Sequence, residues 1–181
     1  MAFARAVAQT FILARRYWLY AANLLALGAV LLPFLAPVLM HLGLVDWSNL
    51  VYGVCGLQCH QLPWRSFSLG PYPLGVCQRC LGIDVAMLAA GVAYVLWRRP
   101  LRFRLWTPLF LLAAIAPLAI DGGTQYLGWR ESTWWLRLFT GSLYGAGLVL
   151  FFYPLLDLLL TRALVEFARA RILTPQEVTL L

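Results

Sequence analysis

Long blocks of apolar residues alternate with short polar segments along the chain. Within each block the apolar positions run on continuously, without the spacing of an amphipathic helix or a half-buried strand, and such runs are typical of membrane-spanning segments. Lipid offers no partner for free backbone N–H and C=O groups, so each block is predicted to be a helix. Even the shortest block would reach about 24 Å as a helix, enough to cross a slightly thinned bilayer. The four predicted spans are 17–40, 81–97, 105–120 and 134–160.

This pattern predicts an all-α fold, an integral membrane bundle of four transmembrane helices that forms a single domain over residues 1–181. The polar segment 41–80 separates the first two spans and is the longest connection between spans. Asp46 and Ser48 are residue types that favour helix N-termini. A short outer helix is therefore predicted within this segment, over residues 48–60.

Composition favours a membrane protein over a soluble one. Hydrophobic residues make up 62% of the chain and charged residues 12%, whereas a soluble domain carries about 25% charged residues. The formal net charge is +7, and all 14 basic residues are arginines. Because these arginines lie at the ends of the apolar blocks, they indicate membrane topology. The lipid bilayer is therefore the predicted partner, and nucleic acid is not.

The arginines also predict the orientation of the bundle. Ten of them lie before the first span, between the second and third spans, or after the fourth span: Arg5, Arg15, Arg16, Arg98, Arg99, Arg102, Arg104, Arg162, Arg169 and Arg171. Those on the opposite side are Arg65, Arg79, Arg130 and Arg137. Cytoplasmic segments are enriched in arginine, so both termini are predicted to be cytoplasmic and the cysteine-containing segment 41–80 to be extracytoplasmic.

All four cysteines fall within residues 55–80, CGLQCHQLPWRSFSLGPYPLGVCQRC, together with one of the two histidines. Cys77 and Cys80 form a C-x-x-C pair immediately before the second span, where the helix dipole and Arg79 favour thiolates. A set of three cysteines and one histidine suits tetrahedral zinc. The predicted metal ligands are Cys59, His60, Cys77 and Cys80, with Cys55 as an additional ligand.

Other chemistry fits the same residues. A C-x-x-C pair is typical of redox-active thiols, and clustered cysteines outside the cytoplasm also form structural disulfides. The stretch from Cys55 to His60 reads C-x₃-C-H, one residue longer than the usual attachment motif of a c-type haem. Clustered cysteines also ligate iron–sulfur centres. Zinc is the favoured cofactor, and haem and iron–sulfur stay open as alternatives.

Several polar residues fall at the same predicted depth as the cysteines. Asp84 and Asp121 lie at the membrane boundary, where a charge is costly unless it is paired, and Arg137 is the natural partner for either. The residues predicted to surround the metal or line an outer pocket are Arg65, Arg79, Asp84, Asp121, Gln125 and Arg137. Gly141 and Gly145 form a G-x-x-x-G motif, which allows close helix packing or dimerisation.

Four ordered motifs resemble the prokaryotic multi-pass membrane proteins grouped as DUF2085, a domain of unknown function: CHQLPWRSF, VCQRCLGI, PLAIDGGTQYLGWRES and LRLFTGSLYG. The resemblance covers about residues 50–150 and implies the cell (inner) membrane of a prokaryote as the location. Cys55 and Asp84 are not part of the matched pattern. The residues that the resemblance groups together are Cys59, His60, Cys77, Cys80 and Asp121.

The favoured function is that of an integral membrane protein whose extracytoplasmic Cys/His metal site joins the first outer loop to the head of the second span. Such a protein would act through a ligand, as a homo-oligomer or with a membrane-complex partner. One alternative is an enzyme, a quinone-coupled membrane thiol–disulfide oxidoreductase in which Cys77 and Cys80 face the quinone and Cys55 and Cys59 form the shuttle pair. A further alternative is an electron-transfer or accessory subunit with haem or iron–sulfur.

Overall fold

A computed structural model describes residues 2–97 and 106–170 and contains five α-helices over those residues. They are α1 (Ala2–His41), α2 (Val45–Gly56), α3 (Gln78–Trp97), α4 (Trp106–Tyr126) and α5 (Trp134–Arg169). All but α2 are long and apolar enough to cross a membrane. The predicted bundle of four membrane helices is confirmed. Five of the arginines used to predict the orientation, Arg98, Arg99, Arg102, Arg104 and Arg171, lie outside the described residues.

The outward surfaces of the long helices are apolar. Leu24 and Leu25 of α1 are largely exposed, as are Leu112 of α4 and Leu159 of α5. Apolar surface on this scale is unfavourable in water and is accommodated by the hydrocarbon core of a bilayer. Together with the length of the helices, it identifies a multi-pass membrane protein.

The predicted outer helix is present, but it spans Val45–Gly56 and not 48–60. Ser48 is buried within α2, where its hydroxyl donates a 2.8 Å hydrogen bond to the Ala36 carbonyl and fastens α2 to α1. The helix ends before Cys59. Cys55 and Cys59 therefore do not occupy successive turns of one helix.

The connection from α2 to α3 contains a β-hairpin in addition to the predicted helix. A 3₁₀ turn (Pro63–Arg65) leads into β1 (Ser66–Leu69), which pairs antiparallel with β2 (Tyr72–Cys77). The strands reverse direction at Gly70, whose φ of +61° is favourable for glycine. Because β2 runs directly into α3, the hairpin fixes where the C-x-x-C pair stands on the head of that helix.

Two glycines allow α3 and α5 to pack closely. Gly141 and Gly145 of the G-x-x-x-G motif lie against the backbone carbonyls of Arg79 and Ile83, and a Cβ at either position would overlap those oxygens. The motif therefore packs two helices of the same bundle against each other. As a result, the first turns of α3 and α5 lie side by side.

The ends of α1 and α5 that lie away from the cysteines are joined by polar and aromatic contacts. The Arg15 guanidinium donates to the Asp157 carboxylate in an ion pair between the two helices. Close by, the Trp18 ring packs edge-on against Tyr153, with ring centroids 5.1 Å apart. These contacts hold α1 against the bundle at the end opposite the cysteines.

Candidate metal centre

Three cysteine sulfurs from two segments of the chain converge at the head of α3. The Sγ atoms of Cys59, Cys77 and Cys80 all lie within 4.8 Å of one another, and those of Cys77 and Cys80 are 3.6 Å apart. Tetrahedral zinc with Zn–S distances of about 2.3 Å holds its sulfurs about 3.8 Å apart. The three sulfurs are therefore close enough together to hold one metal ion.

Backbone hydrogen bonds orient the Cys59 sulfur toward the other two. The Cys59 side chain is buried, and its Sγ accepts N–H hydrogen bonds from Cys77 at 3.1 Å and from Gln61 at 3.4 Å. Such bonds favour a thiolate over a thiol. They also tie the turn after α2 to the last residue of the hairpin.

Gln61 fixes the shape of that turn. It adopts a left-handed backbone conformation with φ of 51°, which is uncommon for a residue other than glycine. Its side-chain amide donates 2.7 Å hydrogen bonds to the carbonyls of Tyr52 and Gly75. The side chain thus bridges α2 and β2, and these two bonds offset the cost of the backbone conformation.

The three sulfurs share protons unequally. Hydrogen bonds from the Cys59 thiol and then from the Cys80 thiol lower the pKa of Cys77 far below its usual range. The same contact with Cys77 raises the pKa of Cys59 and outweighs the backbone hydrogen bonds to the Cys59 sulfur, which act in the opposite direction. The cluster therefore already stabilises a thiolate at Cys77, the form in which cysteine ligates a metal.

Two predicted ligands lie outside the three-cysteine cluster. Within the described part of the chain, the mutual 4.8 Å spacing includes neither His60 nor Cys55. His60 follows Cys59 directly in the turn, and neighbouring side chains diverge there, so its exposed ring lines the adjacent cavity. Cys55 lies on the last turn of α2 and packs in an apolar cluster with Leu74 and Val76.

A cavity of about 390 Å³ opens beside the three-cysteine cluster. All three sulfur-bearing residues contribute to its wall, as do Gln125 and Tyr126 from the end of α4. Three arginines from three different elements complete the polar part of the lining: Arg65, Arg79 and Arg137. A metal held by the three sulfurs would face a space large enough for a small molecule.

A network of ion pairs holds these arginines in place. Asp121 of α4, only 2% exposed, accepts hydrogen bonds from Arg79 and, at 2.9 Å, from Arg130. Glu131 pairs with Arg137 at 3.2 Å and with Arg65 at 3.6 Å. The network therefore joins the 3₁₀ turn to the heads of α3 and α5 and the end of α4.

The side-chain amide of Gln125 joins the two halves of this network. Its Oε1 accepts a 3.3 Å hydrogen bond from Arg79, and its Nε2 donates a 3.1 Å bond to Glu131. The interaction predicted for Asp84 is different from the one observed. Asp84 is buried and accepts a 3.3 Å hydrogen bond from Gln58, whereas the sequence suggested Arg137 as the partner of Asp84 or Asp121. Arg137 contacts Glu131 and Gln78 instead.

Sequence reasoning missed several polar residues of the site. Arg130 and Glu131 supply two of the charges in the network, and the buried Gln78 accepts a 3.2 Å hydrogen bond from Arg137. The available signal for the first two was a pair of adjacent charged residues in the short connection between two membrane spans. Gln78 lies between the two cysteines of the C-x-x-C pair and carried no separate signal.

Comparison with known proteins identifies relatives that share this region. The uncharacterised protein MJ1492 of Methanocaldococcus jannaschii is 36% identical over 127 residues, which cover 67% of this chain and 81% of the relative. An uncharacterised protein of Methanothermobacter thermautotrophicus is 37% identical over 91 residues, covering 50% of this chain and 79% of the relative. No solved structure shows a significant match to the chain.

The family described as "Predicted membrane protein (DUF2085)" matches residues 59–151. This range begins at the first sulfur of the cluster and includes the hairpin, the ion-pair network and the packed glycines of α5. It covers just over half of the chain. The resemblance seen in the ordered motifs is confirmed, and the chain belongs to the DUF2085 family of predicted membrane proteins.

Proposed function

We propose that the protein is a membrane metalloprotein that binds one zinc ion through Cys59, Cys77 and Cys80. The observation that carries the proposal is the mutual spacing of the three sulfurs, all within 4.8 Å. Thiolates are soft ligands that favour zinc among the common divalent metals of cells. The ion would join the turn after α2 to the head of α3. It would strengthen the contact that the Cys77 backbone N–H already makes with the Cys59 sulfur.

The fourth ligand position of this zinc would face the cavity. Zinc sites with three protein ligands and an open position are typical of ions that bind water or a small ligand, whereas structural sites have four protein ligands. His60 lines the same cavity, so either its imidazole or a small molecule completes the tetrahedron. The proposed role is therefore to bind a small ligand at a metal near the membrane boundary.

Elemental analysis of the detergent-purified protein tests this proposal. We expect about one zinc ion per chain, since one cluster of three sulfurs holds one ion. Zinc should be removed by a chelator only slowly, and the three thiols should react with an alkylating reagent only after its removal. Stoichiometric iron, or a haem absorption spectrum, would contradict the zinc proposal and favour the iron–sulfur or haem alternative.

A thiol–disulfide oxidoreductase is the second candidate, supported by the 3.6 Å separation of the Cys77 and Cys80 sulfurs. In that reaction the two thiols would form a disulfide while two electrons and two protons pass to a membrane quinone. The cluster of three sulfurs favours metal binding, because a relay through two pairs needs four sulfurs and Cys55 lies outside the group that is mutually within 4.8 Å. A metal-free protein with a reducible Cys77–Cys80 disulfide would favour the oxidoreductase.

We further propose that the cysteine-bearing end of the bundle is extracytoplasmic in a cell (inner) membrane, as the positive-inside rule indicates. A cysteine introduced at the exposed Trp129, between α4 and α5, should react with a membrane-impermeant maleimide in intact cells. A cysteine at the exposed Phe3, in α1, should react only after permeabilisation. The reverse labelling pattern would show that the orientation is opposite to the one proposed.

A further inference from the structure

We propose that the cavity beside the three-cysteine cluster binds a phosphate group through Arg65, Arg79 and Arg137. The three arginines come from the 3₁₀ turn, the head of α3 and the head of α5, yet they line the same space of about 390 Å³. This inference goes beyond the metal proposal and does not depend on it, since the arginines are positioned by carboxylates and by helix packing.

The charge balance around the cavity leaves an excess of positive charge. The network contains four guanidiniums, those of Arg65, Arg79, Arg130 and Arg137, against the carboxylates of Asp121 and Glu131. The side chain of Glu131 is 75% exposed, whereas that of its partner Arg137 is 8% exposed. Because water screens an exposed carboxylate, Glu131 compensates the buried guanidinium only in part.

A zinc ion bound by the three cysteines would not remove this excess of positive charge. A zinc ion with three thiolates carries one net negative charge, so at least one guanidinium charge would still lack a counterion. A buried positive charge without a counterion is unfavourable. A phosphate group in the cavity would supply the missing negative charge.

Hydrogen bonding identifies which arginine atoms lack partners. Within the described part of the chain, the Nε atoms of Arg65, Arg79 and Arg137 are buried and make no hydrogen bond. Arg65 is the least engaged of the three, because its ion pair with Glu131 spans 3.6 Å. Buried donors without partners are uncommon in folded proteins and point to a ligand or solvent that satisfies them.

Phosphate matches these donors better than a carboxylate does. A guanidinium presents paired N–H groups in a planar fork that fits two phosphate oxygens. A carboxylate has two oxygens for three guanidiniums, whereas a phosphate group has three or four. Both a free phosphate ion and the headgroup of a phospholipid offer this chemistry at a membrane boundary.

The test measures binding of two probes to the purified full-length protein in phosphate-free buffer. Inorganic phosphate and the short-chain lipid dihexanoyl phosphatidic acid are titrated by calorimetry, after the phosphorus content of the purified protein has been determined. We expect saturable binding of at least one probe, or stoichiometric phosphorus already bound. Arg65→Gln should weaken binding at least about tenfold, the loss expected for a charge-assisted hydrogen-bonding group.

Arg130→Gln is the matched control. It removes a guanidinium from the same network, but this side chain is 44% exposed, pairs with Asp121 and is not part of the cavity wall. Because water screens this exposed guanidinium, Arg130→Gln should weaken phosphate binding less than Arg65→Gln does. Arg65→Lys keeps the positive charge but removes the planar fork. Its phosphate affinity should lie between that of Arg65→Gln and that of the unchanged protein. It replaces Arg65→Gln in the test if that variant does not fold.

Each outcome has one consequence. Binding of inorganic phosphate identifies a free ion as a sufficient ligand, and binding of the lipid alone identifies a headgroup. The proposal is overturned if neither probe binds and no phosphorus is present, or if the two glutamine variants weaken binding equally. Metal content measured on the same samples separates the two proposals, since Arg65→Gln should keep its zinc and Cys77→Ser should lose it.

Discussion

Replacing Cys77 by serine is expected to reduce bound zinc from about one ion per chain to less than about a tenth of that. Cys77 Sγ lies beside both other sulfurs of the three-cysteine cluster, and the pKa of this thiol is lowered by their hydrogen bonds. A serine hydroxyl stays protonated and is a poor zinc ligand. Elemental analysis of the purified variant measures the loss.

Loss of the ion should also loosen the segment between α1 and α3. Zinc binding contributes about 10–16 kcal/mol in isolated zinc-finger peptides, and here it would add to the hydrogen bonds that already position Cys59. Limited proteolysis of the Cys77→Ser variant should therefore cleave within residues 41–80 faster than in the unchanged protein, while the spanning helices stay intact.

Cys55→Ala is the matched control for this experiment. It removes a thiol from the same segment, but Cys55 is not one of the three sulfurs that lie within 4.8 Å of one another. The variant should keep its zinc and lose some stability from the smaller side chain. Loss of zinc from Cys55→Ala with retention in Cys77→Ser would show that the ligand set is wrong.

Asp121→Asn is expected to lower the free energy of unfolding by about 3–5 kcal/mol, the usual cost of removing one partner from a buried ion pair. The Asp121 carboxylate is almost fully buried between Arg79 and Arg130. An amide in its place leaves the Arg79 guanidinium without its counterion inside the protein. Unfolding of the purified variant in detergent, followed by circular dichroism, measures the change.

Glu131→Gln provides the comparison for Asp121→Asn. Glu131 also contacts two arginines, Arg65 and Arg137, but its side chain faces water. Because water screens the exposed Glu131 carboxylate, its ion pairs contribute less than those of Asp121 even though Arg137 is buried, so this variant should lose less stability than Asp121→Asn does. Equal destabilisation by the two substitutions would mean that burial of Asp121 does not control the strength of the network.

Hydropathy predicted where the spans lie but not where their helices end. The third span was predicted to end at residue 120, yet α4 continues to Tyr126. Asp121 lies inside this helix, where its buried carboxylate pairs with Arg79 and Arg130. Likewise, α5 continues past residue 160 to Arg169 and so extends beyond the apolar block that is predicted to cross the membrane.

The hairpin could not be predicted from local pattern. Its strands are short, and Pro71 and Pro73 interrupt any alternation of apolar and polar residues. Because the hairpin places Cys77 beside the Cys59 sulfur, the contact between these two residues depends on the hairpin. The sequence could assign both cysteines to one site from their residue types and motif context, but not the distance between them.

His60 and Cys55, two of the predicted ligands, lie outside the three-cysteine cluster. The helix predicted over residues 48–60 included Cys55, Cys59 and His60, whereas α2 ends at Gly56. In the turn that follows, Cys59 points toward the other sulfurs and His60 lines the cavity. The arginines were recognised as pocket residues, because charges near a span boundary need partners.

X-ray absorption at the zinc edge of the purified protein tests the central claim most directly. A zinc ion held by Cys59, Cys77 and Cys80 predicts three sulfur neighbours at about 2.3 Å and one oxygen or nitrogen neighbour at about 2.0–2.1 Å. Four sulfur neighbours would require Cys55 as a ligand. That spectrum, or one with no sulfur around the zinc, would contradict the account.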